Sequence, residues 1–158
     1  MTHNEFGGPP SDAHDRAQDA LIEFAFGRGY TEPCTRSLGG IPDVLLCNSS
    51  PPCGPDEDGD LECDDIFIGE AKATEGPNDQ RSVSALNLYM VTARDWLLEG
   101  SIDRFVFALC PSNSNDVLEW ASLLNAIAQA AGCSARVSLF TIHEQGTHTI
   151  VYGTFTRG

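Results

Sequence analysis

The sequence predicts an α/β sandwich, a mixed sheet with helices on both faces. Three segments carry apolar residues at helical spacing, and several short apolar runs have the length and composition of strands. The two kinds of segment alternate along the chain, which is typical of α/β folds. At 158 residues the chain is long enough for one such domain with its own core.

A short lead precedes the first predicted helix. Residues 1–10 end in Gly-Gly-Pro-Pro and predict a disordered segment, so the folded domain is expected to span 11–158. Ser11 or Asp12 can cap a helix with a regular apolar stripe, which Gly27 ends.

Two strands follow, separated by an acidic connection. Residues 35–46 predict the first strand, with a bend at two glycines, and residues 65–73 predict the second. Between them, 48–60 combines Ser, Pro and Gly with a block of carboxylates, so we expect an exposed acidic insertion.

Helices and strands alternate in the second half of the chain. The run at 104–110 is almost continuously apolar, as expected for a strand buried on both faces. The predicted elements are a helix from 76–79 to about Gly100, a strand at 104–110, a helix from 115–116 to about Gly132, and strands at 136–142 and 147–155. The last two strands are expected to pair as a hairpin around residues 145–146.

The charge of the chain restricts its partners. A net charge of −14 is opposite to the basic surface typical of nucleic-acid-binding proteins. Either the arginines gather on one face, or a basic partner protein supplies the missing surface, or the protein works in high salt. The sequence does not decide between these.

The composition also bears on cellular location. No run of 18 apolar residues is present and the N-terminus is polar, so neither a membrane span nor a signal peptide is expected. We therefore expect a cytoplasmic, intracellular protein whose six cysteines are mostly reduced. The cysteines lack the close spacing of a zinc site, although zinc is left open.

The most informative residues lie on the first two predicted strands. Glu70 and Lys72 are two residues apart, so they share one face of a strand. If the strands are neighbours, Asp43 joins them. Two carboxylates bind a hard cation such as Mg²⁺, and an adjacent ammonium can orient or deprotonate an attacking water. Such a group can hydrolyse a phosphodiester.

The alternative interpretation is a strand end whose charges simply pair. One count favours catalysis over pairing: Lys72 is the only lysine among nine basic residues, and the other eight are arginine. Lysine can lose its proton and arginine cannot, so a chain that otherwise uses arginine has a chemical reason for lysine at this position.

These residues resemble the motif of the PD-(D/E)xK nuclease superfamily, with Asp43 after a proline and with Ala71 between Glu70 and Lys72. The stretch 36–40 resembles the segment that precedes the aspartate in archaeal Holliday-junction resolvases. The resemblance covers about residues 17–109. It implies a restriction-endonuclease-like core and a Mg²⁺-dependent DNA endonuclease, with Mn²⁺ as a substitute metal.

The resemblance also implies individual roles. Asp43, Glu70 and the backbone carbonyl of Ala71 would bind the metal, and Lys72 would orient or deprotonate the water. In this superfamily the first helix often supplies a further acid. Here Gln18 stands in that place and Asp15 lies close by, so either would be an accessory residue near the metal. A polar helix face explains the same pair equally well.

Further residues are candidate contacts to phosphate. Ser37 matches a phosphate or water contact of the resolvases, but it is also a natural turn residue before two glycines. Gln80 and Arg81 open the helix after the Glu70 strand, and helix N-termini favour anions. Arg36 would extend this basic track, although Arg81 could equally be a solvated first-turn residue.

A second hypothesis assigns the chain no catalysis. In it, a nuclease-fold subunit acts through a partner protein, which the net negative charge favours. The catalytic hypothesis in turn favours a homodimer, because cutting two strands needs two active sites. The sequence leaves open the structure of the DNA and whether the target is instead RNA.

Overall fold

The computed structural model describes residues 9–48, 64–72, 76–133 and 136–143. Its elements in chain order are α1 (Pro9–Gly27), β1 (Tyr30–Pro33), β2 (Val44–Asn48), β3 (Asp65–Lys72), α2 (Gln80–Glu99), β4 (Arg104–Pro111), α3 (Val117–Ala130) and β5 (Val137–Thr141). A short 3₁₀ helix, Ser114–Asp116, leads into α3.

The five described strands form one mixed sheet in the order β1-β2-β3-β4-β5. The pairs β1–β2 and β2–β3 are antiparallel, whereas β3–β4 and β4–β5 are parallel. Both parallel connections contain a helix, as parallel neighbours require. The mixed sheet that the sequence predicts is therefore confirmed.

Helices cover both faces of the sheet. Because side chains alternate along β3, Ile66 and Ile68 point to one face, where they join a core with residues of α2 and α3. Phe67 and Ala71 point to the other face and pack with residues of α1. This arrangement confirms the predicted α/β sandwich. No helix in the described ranges is long and apolar enough to cross a membrane.

The first helix begins earlier than predicted. It starts at Pro9, inside the segment 1–10 that was expected to be a disordered lead. Proline is well tolerated in the first helical turn, since an N–H in that turn would have no intrahelical partner. The prediction placed the start of the helix after the two prolines, at residue 11 or 12, which is too late. Residues 1–8 lie outside the described residues.

The strand predicted at 35–46 is wrong in extent. The structure places β2 at Val44–Asn48, so Asn48 belongs to the strand and not to the acidic connection. An unpredicted strand, β1, precedes it at Tyr30–Pro33 and pairs with it. Pro33 and Pro42 cannot donate a ladder hydrogen bond, and the segment between them contains the two-glycine bend. The remainder of the acidic connection lies outside the described residues.

The second half of the fold follows the prediction closely. Asp79 caps α2, its carboxylate accepting a hydrogen bond of 2.9 Å from the backbone N–H of Ser82, and Gly100 ends the helix. From Phe105 onward, β4 is fully buried, as its apolar run predicts. The closing strand predicted at 147–155 and its hairpin lie outside the described residues.

The cysteines differ in state. Cys34, Cys110 and Cys133 are not in disulfide bonds, whereas Cys47 on β2 is disulfide-bonded. The expectation was that most of the six cysteines are reduced, and Cys47 is the exception among the four that the structure describes. The spacing of the cysteines along the chain does not distinguish Cys47 from the others.

Candidate active site

The candidate active site lies where β2 begins beside the end of β3. Antiparallel pairing sets Val44 opposite Gly69, which brings Asp43 next to Glu70. The backbone N–H of Asp43 donates to Oε2 of Glu70 at 2.8 Å, and the N–H of Ala71 donates to Oδ2 of Asp43 at 2.8 Å. Each carboxylate is thus held by a backbone donor of the neighbouring segment.

Lys72 completes the group. Its Nζ lies 3.4 Å from Oε1 of Glu70, and the two side chains are only 9% and 8% exposed. They share a face of β3 because they are two residues apart. The structure therefore brings together Asp43, Glu70 and Lys72, the three residues that the sequence singles out.

The electrostatics of Glu70 follow from its burial. Removal from water raises the pKa of this carboxyl, and the negative charge of Asp43 raises it further. The hydrogen bond from the Asp43 backbone and the ammonium of Lys72 act in the opposite direction without cancelling the rise. Two close carboxylates with one ammonium leave negative charge in a poorly solvated place, and a bound cation would offset it.

The oxygen donors fit a hard cation that keeps most of its water. Within the described ranges, no three His, Cys, Asp or Glu side chains converge into a group that could hold a metal. Mg²⁺ does not need such a cage, because it is commonly held by one or two carboxylates together with water and substrate oxygens. Asp43 and Glu70 can supply that donor set. Ala71, whose carbonyl the resemblance assigns to the metal, also positions Asp43 through its N–H.

His14 is a site residue that the sequence analysis missed. It lies on α1, and its Nε2 is 3.2 Å from Oδ1 of Asp43, with the two side chains 37% and 24% exposed. Gln18, the predicted accessory residue, lies four residues further along the same side of α1 and is half-buried, whereas Asp15 is exposed. The spacing between His14 and Gln18 was the signal available in the sequence.

Tyr89 on α2 is the second residue that was missed. Burial and the charges of Glu70 and Asp43 raise the pKa of its phenol, which places the ring within electrostatic reach of both carboxylates. The ring also lies against Gly40, where a Cβ would meet Cε1 at 3.1 Å and the hydroxyl oxygen at 3.2 Å. Tyr89 follows the buried Leu86 by three residues, so helical spacing could have placed it on the sheet-facing side.

The N-terminus of α2 lies near the lysine of the site. Gln80 and Arg81 are its first two residues and both are exposed. The Asp79 carboxylate accepts hydrogen bonds from the N–H and hydroxyl of Ser82. These bonds lower the pKa of Asp79, with smaller contributions from the charges of Lys72 and Arg81. A protein carboxylate therefore already occupies the helix end that was predicted to take a phosphate.

The two remaining predicted contacts have partners of their own. Ser37 accepts a hydrogen bond of 3.4 Å from the N–H of Gly39 in an exposed turn. Arg36 donates to the carbonyl of Ser101 at 2.7 Å, and its guanidinium lies 5.1 Å from the ring centroid of Trp96. Ser101 precedes β4, and β4 begins at the end of the sheet opposite to the end that carries Glu70. The structure therefore does not bring Arg36 to the carboxylates.

Comparison of the chain with protein-family models, with curated proteins and with solved structures finds no match in any of the three. What the protein does is therefore inferred from its own side chains.

Proposed function

We propose that the protein is a metal-dependent nuclease that hydrolyses phosphodiester bonds of DNA. The observation that carries this proposal is the convergence of Asp43, Glu70 and Lys72 at one end of the sheet, with Lys72 buried beside Glu70. A surface ion pair would not need a buried lysine next to two mutually positioned carboxylates. The resemblance to the PD-(D/E)xK motif supports the same assignment.

The side chains have distinct tasks in this proposal. Asp43 and Glu70 hold the cation, Mg²⁺ or Mn²⁺, and the carbonyl of Ala71 adds an oxygen. When bound, the cation offsets the negative charge that develops on the scissile phosphate. Lys72 orients the attacking water as an ammonium, or accepts the proton of that water as a neutral amine. The water oxygen bonds to phosphorus as one ester bond breaks, leaving a phosphomonoester end and a hydroxyl end.

A second candidate, a catalytically silent subunit that acts through a basic partner protein, is favoured by the charge of the surface. The chain carries a net charge of −14. Several arginines are already beside acids: Arg94 lies 2.7 Å from Asp95, and both Arg104 and Arg136 lie within 4 Å of Asp103. These cations are less available for a phosphate backbone than a count of arginines suggests.

The experiment that tests the proposal is a cleavage assay at low salt. Plasmid, linear duplex and branched DNA are incubated with Mg²⁺ or Mn²⁺ and with the wild-type protein, Asp43→Ala, Glu70→Ala or Asp103→Asn. Asp103 is an exposed acid at the opposite end of the sheet, which makes it the matched control. We expect the wild type and Asp103→Asn to cleave at least one DNA, and the two site variants to be inactive while remaining folded.

Two results would contradict the proposal. Full activity of both Asp43→Ala and Glu70→Ala would show that a contaminant or another site cleaves the DNA. A wild-type protein that cleaves none of the substrates with either metal would favour the silent subunit. In the active case, the preferred substrate in the panel would show which DNA structure the site accepts.

A further inference from the structure

Tyr89 stands out because its ring is packed inside the protein while its hydroxyl remains accessible. The residue is only 6% exposed. Tyrosine hydroxyls in folded proteins usually have a hydrogen-bond partner, either a protein group or water. Within the parts of the chain that the structure describes, the Tyr89 hydroxyl makes no hydrogen bond to a protein group. Tyr30 provides the contrast, since its hydroxyl donates to Oδ1 of Asp65 at 2.6 Å.

The position of the Tyr89 ring is fixed by its neighbours. α2 holds it against the sheet, and the backbone of Gly40 covers the ring and hydroxyl so closely that a Cβ at that residue would lie 3.1 to 3.2 Å from them. Gly40 belongs to the segment that leads directly to Asp43. The hydroxyl therefore lies beside the loop that carries one of the proposed metal-binding carboxylates, and it is within electrostatic reach of the other, Glu70.

The hydroxyl is a donor at any ordinary pH. Burial is the main cause that raises the pKa of this phenol, followed by the negative charges of Glu70 and Asp43. A protonated phenol can donate to an acceptor that enters the site. An anionic acceptor would also meet the ammonium of Lys72, which lies beside Glu70.

We propose that the Tyr89 hydroxyl donates a hydrogen bond to a non-bridging phosphoryl oxygen of a nucleotide bound at Asp43, Glu70 and Lys72. This inference rests on the proposed nuclease function and adds a substrate-binding residue to it. Tyr89 supplies a neutral donor where the protein surface is acidic. It can therefore orient a phosphate without adding to the small number of cations in the chain.

The test is a binding experiment that does not depend on turnover. Thymidine 5′-monophosphate is titrated into protein in the presence of Ca²⁺, with tyrosine labelled by ¹³C at the ring carbon that bears the hydroxyl. The chain contains three tyrosines, so Tyr89→Phe assigns the Tyr89 resonance directly. Tyr30 is the internal control, because its hydroxyl is already bonded to Asp65 at the far end of β3.

We expect the Tyr89 resonance to shift on binding while that of Tyr30 stays in place. Tyr89→Phe should bind the nucleotide about tenfold more weakly, the effect of one lost hydrogen bond to an anion. Gly40→Ala keeps the hydroxyl but forces the ring to move, and it should weaken binding as well. Tyr30→Phe should leave the dissociation constant unchanged.

The failures of this inference and of the nuclease proposal can be told apart. Binding of the nucleotide with no movement of the Tyr89 resonance, or with equal affinity in Tyr89→Phe, overturns the role of Tyr89. If Glu70-dependent cleavage of DNA is still observed in that case, the nuclease proposal stands. A wild-type protein that neither binds thymidine 5′-monophosphate nor cleaves DNA overturns both.

Discussion

Asp43 and Glu70 position each other through their backbones. The N–H of Asp43 donates to the Glu70 carboxylate, and the N–H that follows Glu70, that of Ala71, donates to the Asp43 carboxylate. The register of β2 and β3 therefore sets the distance between the two acids before any ligand arrives. A site preorganised in this way loses little freedom when it binds a cation.

Lys72→Arg tests whether the only lysine is catalytic. The lysine side chain is buried beside Glu70, and a guanidinium is larger, planar and permanently charged. We expect single-turnover cleavage of the best DNA substrate to slow by about a hundredfold or more, the effect of losing an acid–base group. Metal affinity and melting temperature should be nearly unchanged.

The matched control for this exchange is Arg136→Lys. Arg136 is half exposed and lies beside Asp103, so the same swap in reverse should leave the cleavage rate as it was. A wild-type rate in Lys72→Arg would show that the ammonium serves only as a salt-bridge partner.

Glu70→Gln should stabilise the metal-free protein at neutral pH. The pKa of Glu70 is raised above its ordinary value of 4.5, chiefly by burial, so its ionised form destabilises the folded state. The protonated carboxyl stabilises the folded state fully when the pH is below the ordinary pKa of 4.5. This stabilisation is lost as the pH rises through the raised pKa of the folded state. The melting temperature of the variant should exceed that of the wild type at pH 7, and the difference should vanish in acid.

Thermal melts with and without Mg²⁺ check this prediction. The cation should raise the melting temperature of the wild type more than that of Glu70→Gln, because only the carboxylate binds it well. A variant that melts below the wild type at pH 7 without metal would show that the ion pair with Lys72 outweighs the burial of the charge.

His14→Gln tests the contact between α1 and the carboxylates. The imidazole lies 3.2 Å from Oδ1 of Asp43 and helps to orient it. Loss of such a supporting partner commonly weakens metal binding by about tenfold or more. We expect that loss in a Mn²⁺ titration, with stability changed by no more than about 0.5 kcal/mol because the contact is partly exposed.

Glu23→Gln is the control on the same helix, since Glu23 is exposed further along α1. It should bind Mn²⁺ as the wild type does. Equal metal affinity in the wild type and in His14→Gln would show that the backbone donors alone orient Asp43.

Gly69→Ala tests the close packing behind the site. A Cβ at this position would lie 3.0 Å from Cε1 of Phe67 and 3.2 Å from Cβ of Val44. Overpacking of this kind destabilises a core by about 1–3 kcal/mol. The free energy of unfolding, measured by urea denaturation, should fall by that amount. The control is Gly27→Ala, because nothing lies within 4 Å of a Cβ at that position. Its free energy of unfolding should differ from that of the wild type by no more than about 0.5 kcal/mol.

The part of the site that was visible in the sequence is the part that depends on one strand. Glu70 and Lys72 share a face whatever the rest of the fold does, because side chains alternate along β3. The closeness of Asp43 required only that β2 and β3 be neighbours. In a strand, the relative positions of such side chains are therefore predictable from a few consecutive residues.

The rest depends on how helices dock on the sheet, which no local pattern specifies. His14 reaches Asp43 only because α1 packs across β3, and Tyr89 reaches the site only through the rotation of α2. Arg36 is an example of a residue that is close to the motif in the sequence but distant from it in the structure. It lies six positions before Pro42, yet its side chain contacts Trp96 and Ser101 at the far end of the sheet. Sequence proximity to the motif was therefore a poor guide to spatial proximity.

Residues beside the site come from helices on both faces of the sheet. His14 belongs to the layer on one face of the sheet, whereas Tyr89 and Lys72 lie on the other. A chain in which either layer has come away keeps the acids of the motif but loses the support that His14 or Tyr89 adds beside them. Under the proposed nuclease function, full hydrolytic activity would therefore require both helical layers to be in place. A half-folded chain, whether newly made or partly denatured, would by the same proposal cleave nearby DNA more slowly.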